Sequence, residues 1–260
     1  MKAISAVLIC CNEEAKIEQA LASLQGVADE TIVIDSGSTD GTLAICRRHT
    51  ERVYQKAWRG YREQKQFATD LASHDWVFSL DADEMLSPEL GTELQEWKCG
   101  PESDCSGYLV ARKAFFMGRW IEHTTWHPDW QLRLFRKSAG KWEGGRVHES
   151  FRVSGAIERL QGELLHFTYS SLSEFLRQLE TFSSLAAADL YDRGRRATLF
   201  KMLTEPPLVF TKNYFVKLGF LDGVPGLLAS ILSSVSTLFK HLKLWEISHC
   251  RREDCSVEPS

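Results

Sequence analysis

Short apolar runs of strand length recur through the first third of the chain. The run over residues 3–10 is nearly continuous, and similar runs occupy residues 31–35 and 76–80, with a shorter candidate at 52–54. Continuous apolar runs of this length are typical of strands that are covered on both faces of a parallel sheet. The pattern therefore predicts buried strands rather than strands with one face in water.

Helical patterns separate these runs. Ile17, Leu21 and Leu24 fall on one helical face, and Asn12 can cap that helix, with an acidic pair behind it that suits the positive end of the helix dipole. A second helix follows the next run, and residues 62–73 form a third. The alternation of strands and helices predicts an α/β fold with a doubly wound, mostly parallel sheet, whose ligands bind beyond the carboxyl ends of the strands.

The pattern changes after residue 100. Further strands are expected over residues 107–112 and 131–135, and the segments 117–123 and 126–130 between them resemble a loop rich in aromatic and ionisable groups. Loops of that composition beside strands often bind ligands. From Ser173 onward the spacing of apolar residues is helical.

The C-terminal part has its own character. Pro206-Pro207 and the segment 219–226 are expected to break the helical run. We therefore predict a catalytic domain over residues 1–170 and a helical extension over residues 171–260.

Charge is unevenly distributed along the 260 residues. The whole chain has a net charge of -4, whereas residues 193–243 hold eight basic and two acidic residues, a local net charge of +6. This basic segment is also rich in aliphatic residues, which favours a surface for anionic lipid over one for nucleic acid. No DNA-binding motif is visible. The apolar stretch 224–239 is interrupted by polar residues, Pro and Gly, so we expect it to lie on a membrane rather than cross one.

Cysteine usage points to a reducing compartment. The seven cysteines are an odd number, their spacing lacks the tight pairs of zinc sites, and no signal peptide precedes the first strand. Together with the basic segment, this predicts a cytoplasmic protein that is peripheral at the inner face of the cytoplasmic membrane.

Two carboxylates follow the buried run at residues 76–80. Asp81 and Asp83 are one residue apart at the turn, where both can share a hard divalent cation that also binds phosphate oxygens. The alternative is a turn and capping signal ahead of a helix that Ser87 and Pro88 would open.

Three motifs in order resemble the signatures of glycosyltransferase family 2. They are Ile9-Cys10-Cys11-Asn12-Glu13-Glu14, Ile32-Val33-Ile34-Asp35-Ser36-Gly37-Ser38-Thr39-Asp40-Gly41-Thr42 and Leu80-Asp81-Ala82-Asp83-Glu84. Segments further on are similar to the bacterial branch that contains the lipopolysaccharide inner-core β-1,4-glucosyltransferases. They are residues 127–136, 147–150, 219–223 and 243–246. The resemblance covers nearly the whole chain.

This resemblance implies a GT-A type fold, a UDP-sugar donor, a divalent cation (magnesium or manganese) and inversion at the anomeric carbon. The implied reaction moves a hexose from the UDP-sugar to a heptose of the lipopolysaccharide core, and glucose is the expected hexose. An inverting transfer is one in-line displacement, which needs a base for the acceptor hydroxyl and positive charge beside the departing diphosphate.

The resemblance also implies a set of donor-binding residues. They are Asn12, Glu14, Asp35, Lys65, Asp81, Gln131 and Arg133. It assigns Asp83 to the metal, Asp81 to the ribose or the metal, and His148 to the metal or the diphosphate. A solvated helix charge is the alternative for Lys65, and a purely structural histidine is the alternative for His148.

Asp129 is the candidate base, because it precedes an expected strand among aromatic residues and matches the family position of the base. A turn cap after Pro128 is the alternative role, and Glu149 and Glu84 are alternative bases. Further candidates for acceptor or diphosphate contact are His123, Trp126, Arg136, His148 and Glu149. In a strand, Arg136 lies opposite Gln131 and Arg133, so it is also a candidate surface charge.

Two other functions compete with this prediction. One keeps the chemistry and changes the acceptor to a polyprenyl phosphate or another polysaccharide. The other is a catalytically silent nucleotide-binding scaffold docked on a membrane. The combination of Asp81, Asp83 and Asp129 favours an enzyme.

Overall fold

The computed structural model describes residues 1–145, 149–169 and 171–253. The strands are β1 (Ile4–Cys10), β2 (Glu30–Asp35), β3 (Val53–Gln55), β4 (Trp76–Asp81), β5 (Glu84–Leu86), β6 (Cys105–Phe116), β7 (Arg119–Trp120), β8 (Asp129–Arg136), β9 (Gly140–Gly144), β10 (Glu149–Val153) and β11 (Ala156–Tyr169). The helices are α1 (Ile17–Ser23), α2 (Thr42–His49), α3 (Tyr61–Asp70), α4 (Pro88–Cys99), α5 (Leu172–Asp192), α6 (Leu199–Thr211) and α7 (Gly223–Glu253). Within the described residues the chain divides into two compact units.

The first unit comprises residues 1–115, 128–144 and 148–168. Its large sheet has the strand order β3-β2-β1-β4-β8-β6-β11-β5. The four strands from β3 to β4 are parallel, and β8 pairs antiparallel with both β4 and β6. The predicted α/β sheet is confirmed, with its parallel part formed by the apolar runs of the N-terminal third.

The apolar runs of β1, β2 and β4 lie in the core of this unit, as predicted, whereas the shorter run of β3 is partly exposed. Val7, Ile32 and Val77, one from each of three adjacent strands, are almost completely buried. The predicted helix face is also correct, because Ile17, Leu21 and Leu24 are all buried. Burial on both sides of the sheet accounts for the lack of apolar and polar alternation in these strands.

Asn12 does not cap a helix, which contradicts the sequence-based expectation. Helix α1 begins only at Ile17, and Lys16 occupies its N-cap position without a side-chain bond. Asn12 has a left-handed backbone (φ 56°), and its Oδ1 atom accepts from the backbone N–H of Thr39 at 2.8 Å. Asparagine tolerates this conformation better than most residues, so it serves here to turn the chain.

Ser87, in contrast, caps a helix as expected. Its Oγ atom accepts from the N–H of Leu90 at 3.1 Å, and Pro88 occupies the first helical position of α4. The helix cap is therefore Ser87 itself, and Asp81 and Asp83 lie before it at the end of β4.

The described part of the second unit comprises residues 116–127, 145, 169 and 171–253. Its core contains Phe116 at the end of β6, Ile121 from the aromatic loop, Phe175 from α5, and Ala229 and Leu232 from α7. The loop that sequence patterns assign to ligand binding thus packs with the C-terminal helices.

Pro206 and Pro207 do not break the helical run. Both lie inside α6, where Pro206 is buried and its carbonyl accepts from the Ser234 hydroxyl at 2.8 Å. Each proline removes one backbone donor, but packing within the unit can compensate for that loss. The chain breaks instead after α5 and again at the short 3-10 turn Gly219–Asp222.

Helix α7 is more continuous than the polar interruptions suggested. Four of the serines within it donate their hydroxyls to carbonyls four residues earlier, namely Ser230, Ser233, Ser236 and Ser248. Because these hydroxyls are satisfied inside the helix, they do not end it. By length and composition alone, the segment Gly219–His249 is long and apolar enough to cross a membrane. That it lies on a membrane rather than across one stays a prediction.

Candidate active site

Five of the predicted site residues lie at or just beyond the carboxyl ends of β1, β2 and β4, namely Asn12, Glu14, Asp35, Asp81 and Asp83. Asp35 closes β2 and is fully buried, and its carboxylate accepts from the N–H groups of Gly37 at 2.9 Å and Ser38 at 3.0 Å, and from the Ser38 hydroxyl. Burial by itself would raise the pKa of Asp35, but these donors hold it below its usual range. Asp35 is thus an anion fixed by its own turn.

Asn12 and Glu14 join the loop after β1 to the loop after β2. Glu14 Oε2 accepts from the N–H of Gly41 at 2.6 Å, beside the bond from Thr39 to Asn12. A Cβ atom at residue 41 would lie 2.8 Å from Glu14 Oε2, so a larger residue there would require the Glu14 carboxylate to shift. Both predicted donor-binding side chains therefore shape the loops at this edge of the sheet.

Seven charged side chains of alternating sign form a continuous series at the end of β4. We call this series the ion-pair chain, and its members in order are Glu149, Lys65, Asp81, Arg133, Glu84, Arg112 and Asp129. The six successive N···O distances are 2.9, 3.0, 2.7, 2.6, 3.3 and 2.6 Å. The ion-pair chain thus runs from Glu149, the alternative base, to Asp129, the candidate base.

Asp81 occupies the middle of the ion-pair chain. Its Oδ1 atom contacts Lys65 Nζ, and its Oδ2 atom contacts Arg133 Nη2. Burial opposes ionisation, but the charges of Arg133 and Lys65 hold the pKa of Asp81 well below its usual range. Lys65 is therefore more than a solvated helix charge: although its burial opposes protonation, Asp81 and Glu149 raise its pKa.

Arg133 is the most enclosed cation of this series, with 5% of its side chain exposed. Its Nη2 atom bridges Asp81 and Glu84, which itself is completely buried and accepts from the N–H of Asp81 at 3.1 Å. Burial opposes the charge of Arg133, yet the neighbouring carboxylates of Asp81 and Glu84 raise its pKa. Complete burial and three donors make Glu84 a less suitable base than Asp129.

Asp129 begins β8, and both of its carboxylate oxygens are engaged. Nε and Nη2 of Arg112 lie 3.0 and 2.6 Å from Oδ2, and the amide of Gln131 donates to Oδ1 at 2.8 Å. The side chain keeps 30% exposure. Asp129, Gln131 and Arg133 share one face of the strand, as their spacing predicts.

Asp83 lies two residues beyond Asp81 at the exit from β4. Its Oδ2 atom is 3.1 Å from Nε2 of His166, and the two side chains are 25% and 11% exposed. Burial would raise the pKa of Asp83, but His166 lowers it. Among the described residues, no group of three or more His, Cys, Asp or Glu side chains could by itself hold a metal ion.

These donors fit a divalent cation. The Asp83 carboxylate and the His166 imidazole offer one oxygen and one nitrogen ligand within reach of each other, whereas both Asp81 oxygens are bonded to cations. The fit favours Asp83 and His166 as ligands and Asp81 as their neighbour. The predicted ligand His148 lies outside the described residues.

Sequence patterns did not identify two of these residues. Arg112 faces Asp129 directly in the pairing of β6 with β8, and His166 faces Glu84 in the pairing of β11 with β5. The available signal was an ionisable residue that directly follows a short apolar stretch within its strand, residues 109–111 before Arg112 and residues 164–165 before His166, since a partly buried ionisable residue needs a partner.

Arg136 lies at the other end of its strand. It pairs in register with Trp76 at the start of β4, five residues from Asp81, and its guanidinium bonds to Asp75 and Glu102. At about 3.3 Å per residue, the structure does not bring Arg136 to the ion-pair chain. The contacts of Arg136 fit its alternative role as a surface charge.

His123 and Trp126 belong to the second unit. His123 Nδ1 lies 2.9 Å from Oδ1 of the buried Asp222, and the indole N–H of Trp126 donates to the Ser233 hydroxyl at 2.9 Å. Both residues therefore have structural partners in that unit, and their contact with an acceptor stays a prediction.

Comparison with known proteins gives consistent results. Residues 5–159 match the family model described as glycosyl transferase family 2. The chain is 31% identical over 250 residues to the lipopolysaccharide core biosynthesis glycosyltransferase LpsC of Rhizobium meliloti (strain 1021), covering 94% of this chain and 92% of LpsC. It is also 31% identical to an uncharacterized glycosyltransferase, RT0209, of Rickettsia typhi, covering 95% and 88% of the two chains.

A solved structure extends the comparison to the fold. The mannosyltransferase PcManGT of Pyrobaculum calidifontis, in complex with GDP-Man and Mn²⁺, superposes with a TM-score of 0.56 over 93% of this chain and 86% of its own, at 13% identity. The predicted GT-A type fold is confirmed by this likeness together with the mixed sheet described above. From the matched family model and the near full-length similarity to LpsC, the chain belongs to glycosyltransferase family 2.

Proposed function

We propose that this chain is an inverting hexosyltransferase that moves glucose from UDP-glucose to a heptose of the lipopolysaccharide inner core. The observation that carries the proposal is the ion-pair chain, which fixes the candidate base Asp129 and the acidic turn at Asp81 in one network. The similarity to LpsC supports the acceptor class, because LpsC is described as a lipopolysaccharide core biosynthesis enzyme.

Asp83 and His166 would hold a magnesium or manganese ion, with Asp81 beside them. Such an ion would supply positive charge for the departing diphosphate. Asp81 already lies between two cations, so we assign it to ordering Lys65 and Arg133 and to a contact with the ribose. Asp35, held ionised by its turn, is assigned to the nucleoside.

In the transfer step, Asp129 accepts the proton of the acceptor hydroxyl as that oxygen bonds to the anomeric carbon. The bond from this carbon to the diphosphate oxygen breaks at the same time, and UDP leaves. Arg112 and the Gln131 amide hold the carboxylate in one orientation, which is the requirement for a positioned base. Because the reaction is a single displacement, no covalent intermediate on the protein is needed. Glu149 is bonded to Lys65 and is 10% exposed, which leaves it second to Asp129.

We place the reaction at the cytoplasmic face of the inner membrane, where a lipid-anchored acceptor is available. A polyprenyl phosphate or another polysaccharide would be presented at the same surface, so the acceptor has to be determined by assay.

A donor panel tests this proposal. Purified protein is incubated with UDP-glucose, UDP-galactose or UDP-N-acetylglucosamine, with magnesium or manganese, before and after addition of heptose-containing core oligosaccharide. We expect slow hydrolysis of UDP-glucose alone and a glycosylated product, with inverted configuration, when the oligosaccharide is present. Asp70→Asn, which changes an exposed carboxylate bonded to Gln66, is the matched control and should retain full activity. Absence of both hydrolysis and transfer with every donor would instead support the scaffold function.

A further inference from the structure

Six large apolar side chains of the second unit face solvent along α6 and the π-helical turn that follows it. We call them the apolar ridge, and its members are Leu199, Phe200, Leu203, Leu208, Phe215 and Val216. Their exposed fractions run from 56% for Phe215 to 75% for Phe200. Soluble proteins seldom leave so many large apolar side chains exposed in one short segment, so the ridge indicates a contact surface.

The ridge is the outer face of a helix whose inner face is already packed. Phe200, Leu203 and Pro207 follow one another at helical spacing and are all exposed, whereas Pro206 is buried and bonded through its carbonyl to Ser234 of α7. The inner face of α6 is therefore committed to the core of the second unit. The outer face is available to another surface.

The exposed charges around the ridge are basic. Arg195, Lys201, Lys212 and Lys217 are all exposed. The two acidic residues between positions 193 and 224 are both engaged, since Glu205 Oε2 lies 2.6 Å from His241 Nε2 and Asp222 is buried against His123. An apolar strip flanked by unbalanced positive charge complements an anionic lipid surface.

From this juxtaposition we infer that the apolar ridge inserts into the interface of an anionic lipid bilayer, with the flanking basic residues on the headgroups. The inference deepens the proposed function, because it gives the enzyme a specific surface for reaching a lipid-anchored acceptor. The sequence-based expectation assigned docking to the whole segment 193–243, with the apolar stretch 224–239 as its apolar face, and the inference places the docking surface on the ridge instead. In the structure the stretch 224–239 is more enclosed than the ridge: Ala229 is fully buried and Leu232 is 8% exposed, Ile231 and Phe239 are 39% and 38% exposed, and only Val224 at its start reaches 68%.

A second copy of the chain is a less suitable occupant. A two-fold interface places the same patch on both partners, so the basic residues beside one ridge would face those beside the other. Repulsion between these basic residues opposes association of two copies, whereas an anionic lipid surface attracts the same residues.

Vesicle sedimentation tests the inference with the full chain. Binding is measured to phosphatidylglycerol–phosphatidylcholine vesicles and to pure phosphatidylcholine vesicles, at low and high salt. We expect stronger binding to the anionic vesicles, and we expect Phe200→Ser with Leu203→Ser to lower the partition coefficient by about tenfold or more, since each side chain loses its apolar burial. Lys201→Gln with Lys212→Gln should lower it by about fivefold per charge at low salt and much less at high salt.

Matched variants separate the alternatives. Tyr54→Ser with Ile157→Ser removes two exposed apolar side chains from the first unit and should leave vesicle binding unchanged. If Ile231→Ser with Phe239→Ser abolishes binding while the ridge variant does not, the docking surface is α7 and the inference is overturned. A dimer in sedimentation equilibrium that dissociates in the ridge variant, without vesicle binding by the wild type, would also overturn it.

The result is independent of the proposed reaction. The ridge variant should hydrolyse UDP-glucose at the wild-type rate, because it leaves the ion-pair chain unchanged. If the wild type binds vesicles but hydrolyses no sugar nucleotide, the proposed function fails while the docking surface stands. If the wild type hydrolyses UDP-glucose but does not bind vesicles, the docking surface is overturned while the proposed function stands.

Discussion

Two nitrogens of Arg112 contact a single oxygen of Asp129, Nε at 3.0 Å and Nη2 at 2.6 Å. The second oxygen accepts from Gln131, so the carboxylate is held on both sides. A base held in this way keeps its orientation before the acceptor arrives.

Asp129→Asn should lower the transfer rate by about two to four orders of magnitude, the usual contribution of a positioned base. The amide has nearly the same shape but cannot take the acceptor proton. Rates are measured at saturating UDP-glucose, and donor affinity, measured by calorimetry, should stay close to wild type. A decrease of only a few-fold would move the role to Glu149, and Glu149→Gln is then the variant to compare.

Donor binding should depend on a divalent cation through Asp83. Asp83→Asn removes one anionic ligand and retains the side-chain shape, so it should weaken the binding of UDP-glucose in the presence of magnesium or manganese. Calorimetry with and without excess chelator measures the effect. Equal affinity of variant and wild type, or no response of the wild type to chelator, would contradict this prediction. Asp70→Asn is the surface control.

Arg133 should contribute strongly to stability. Arg133→Met leaves the buried carboxylate of Glu84 with one less cation, and breaking a buried pair costs about 3–5 kcal/mol. Urea unfolding measures the change. Arg48→Met is the matched control, because Arg48 pairs with Glu18 at the surface with 63% of its side chain exposed, and its loss should cost about 0–1 kcal/mol. Similar losses of unfolding free energy in both variants would contradict a special contribution of the buried ion pairs to stability.

The turn after β2 should make stability depend on pH. Burial opposes ionisation of Asp35, but the Ser38 hydroxyl and the N–H groups of Gly37 and Ser38 place its folded-state pKa below the ordinary value of 3.8. A lowered folded-state pKa adds stability that is present above the unfolded value and is lost as pH falls through the folded one.

Ser38→Ala should therefore reduce the free energy of unfolding at pH 7 by about 1.5–3 kcal/mol, the range for a hydrogen bond to a charged group. The difference from wild type should stay constant at neutral pH and shrink as pH falls below 3.8. Urea unfolding between pH 7 and pH 3 measures it. Ser38→Thr retains the hydroxyl and should follow the wild type; a difference that grows towards acidic pH would exclude the assigned cause.

Much of the N-terminal fold is readable from the sequence because burial on both faces leaves a local signal. Continuous apolar runs predict β1, β2 and β4, and the aspartates at their ends predict where polar side chains gather. The partners that complete the site are not readable in the same way. Arg133 meets Glu84 and Asp81 across 49 and 52 residues, and His166 meets Asp83 across 83.

The wrong local predictions also have physical causes. Asn12 resembles a helix cap in composition, but its backbone is left-handed and the helix starts five residues later. Pro206 and Pro207 resemble a helix break, but only two backbone donors are lost and the second unit packs around them. In both cases tertiary contacts outweigh a local preference that is worth only a few kcal/mol.

The alternating signs of the ion-pair chain have a genetic consequence. Each interior member touches two neighbours of opposite charge, so neutralising one member leaves two others unbalanced in a poorly solvated place. Changes at adjacent positions should then be strongly non-additive, with the loss of Lys65 and Glu149 together better tolerated than the loss of either one. Sequence change through this network should therefore proceed by compensated pairs, and a variant library that samples one position at a time would overstate how intolerant the site is.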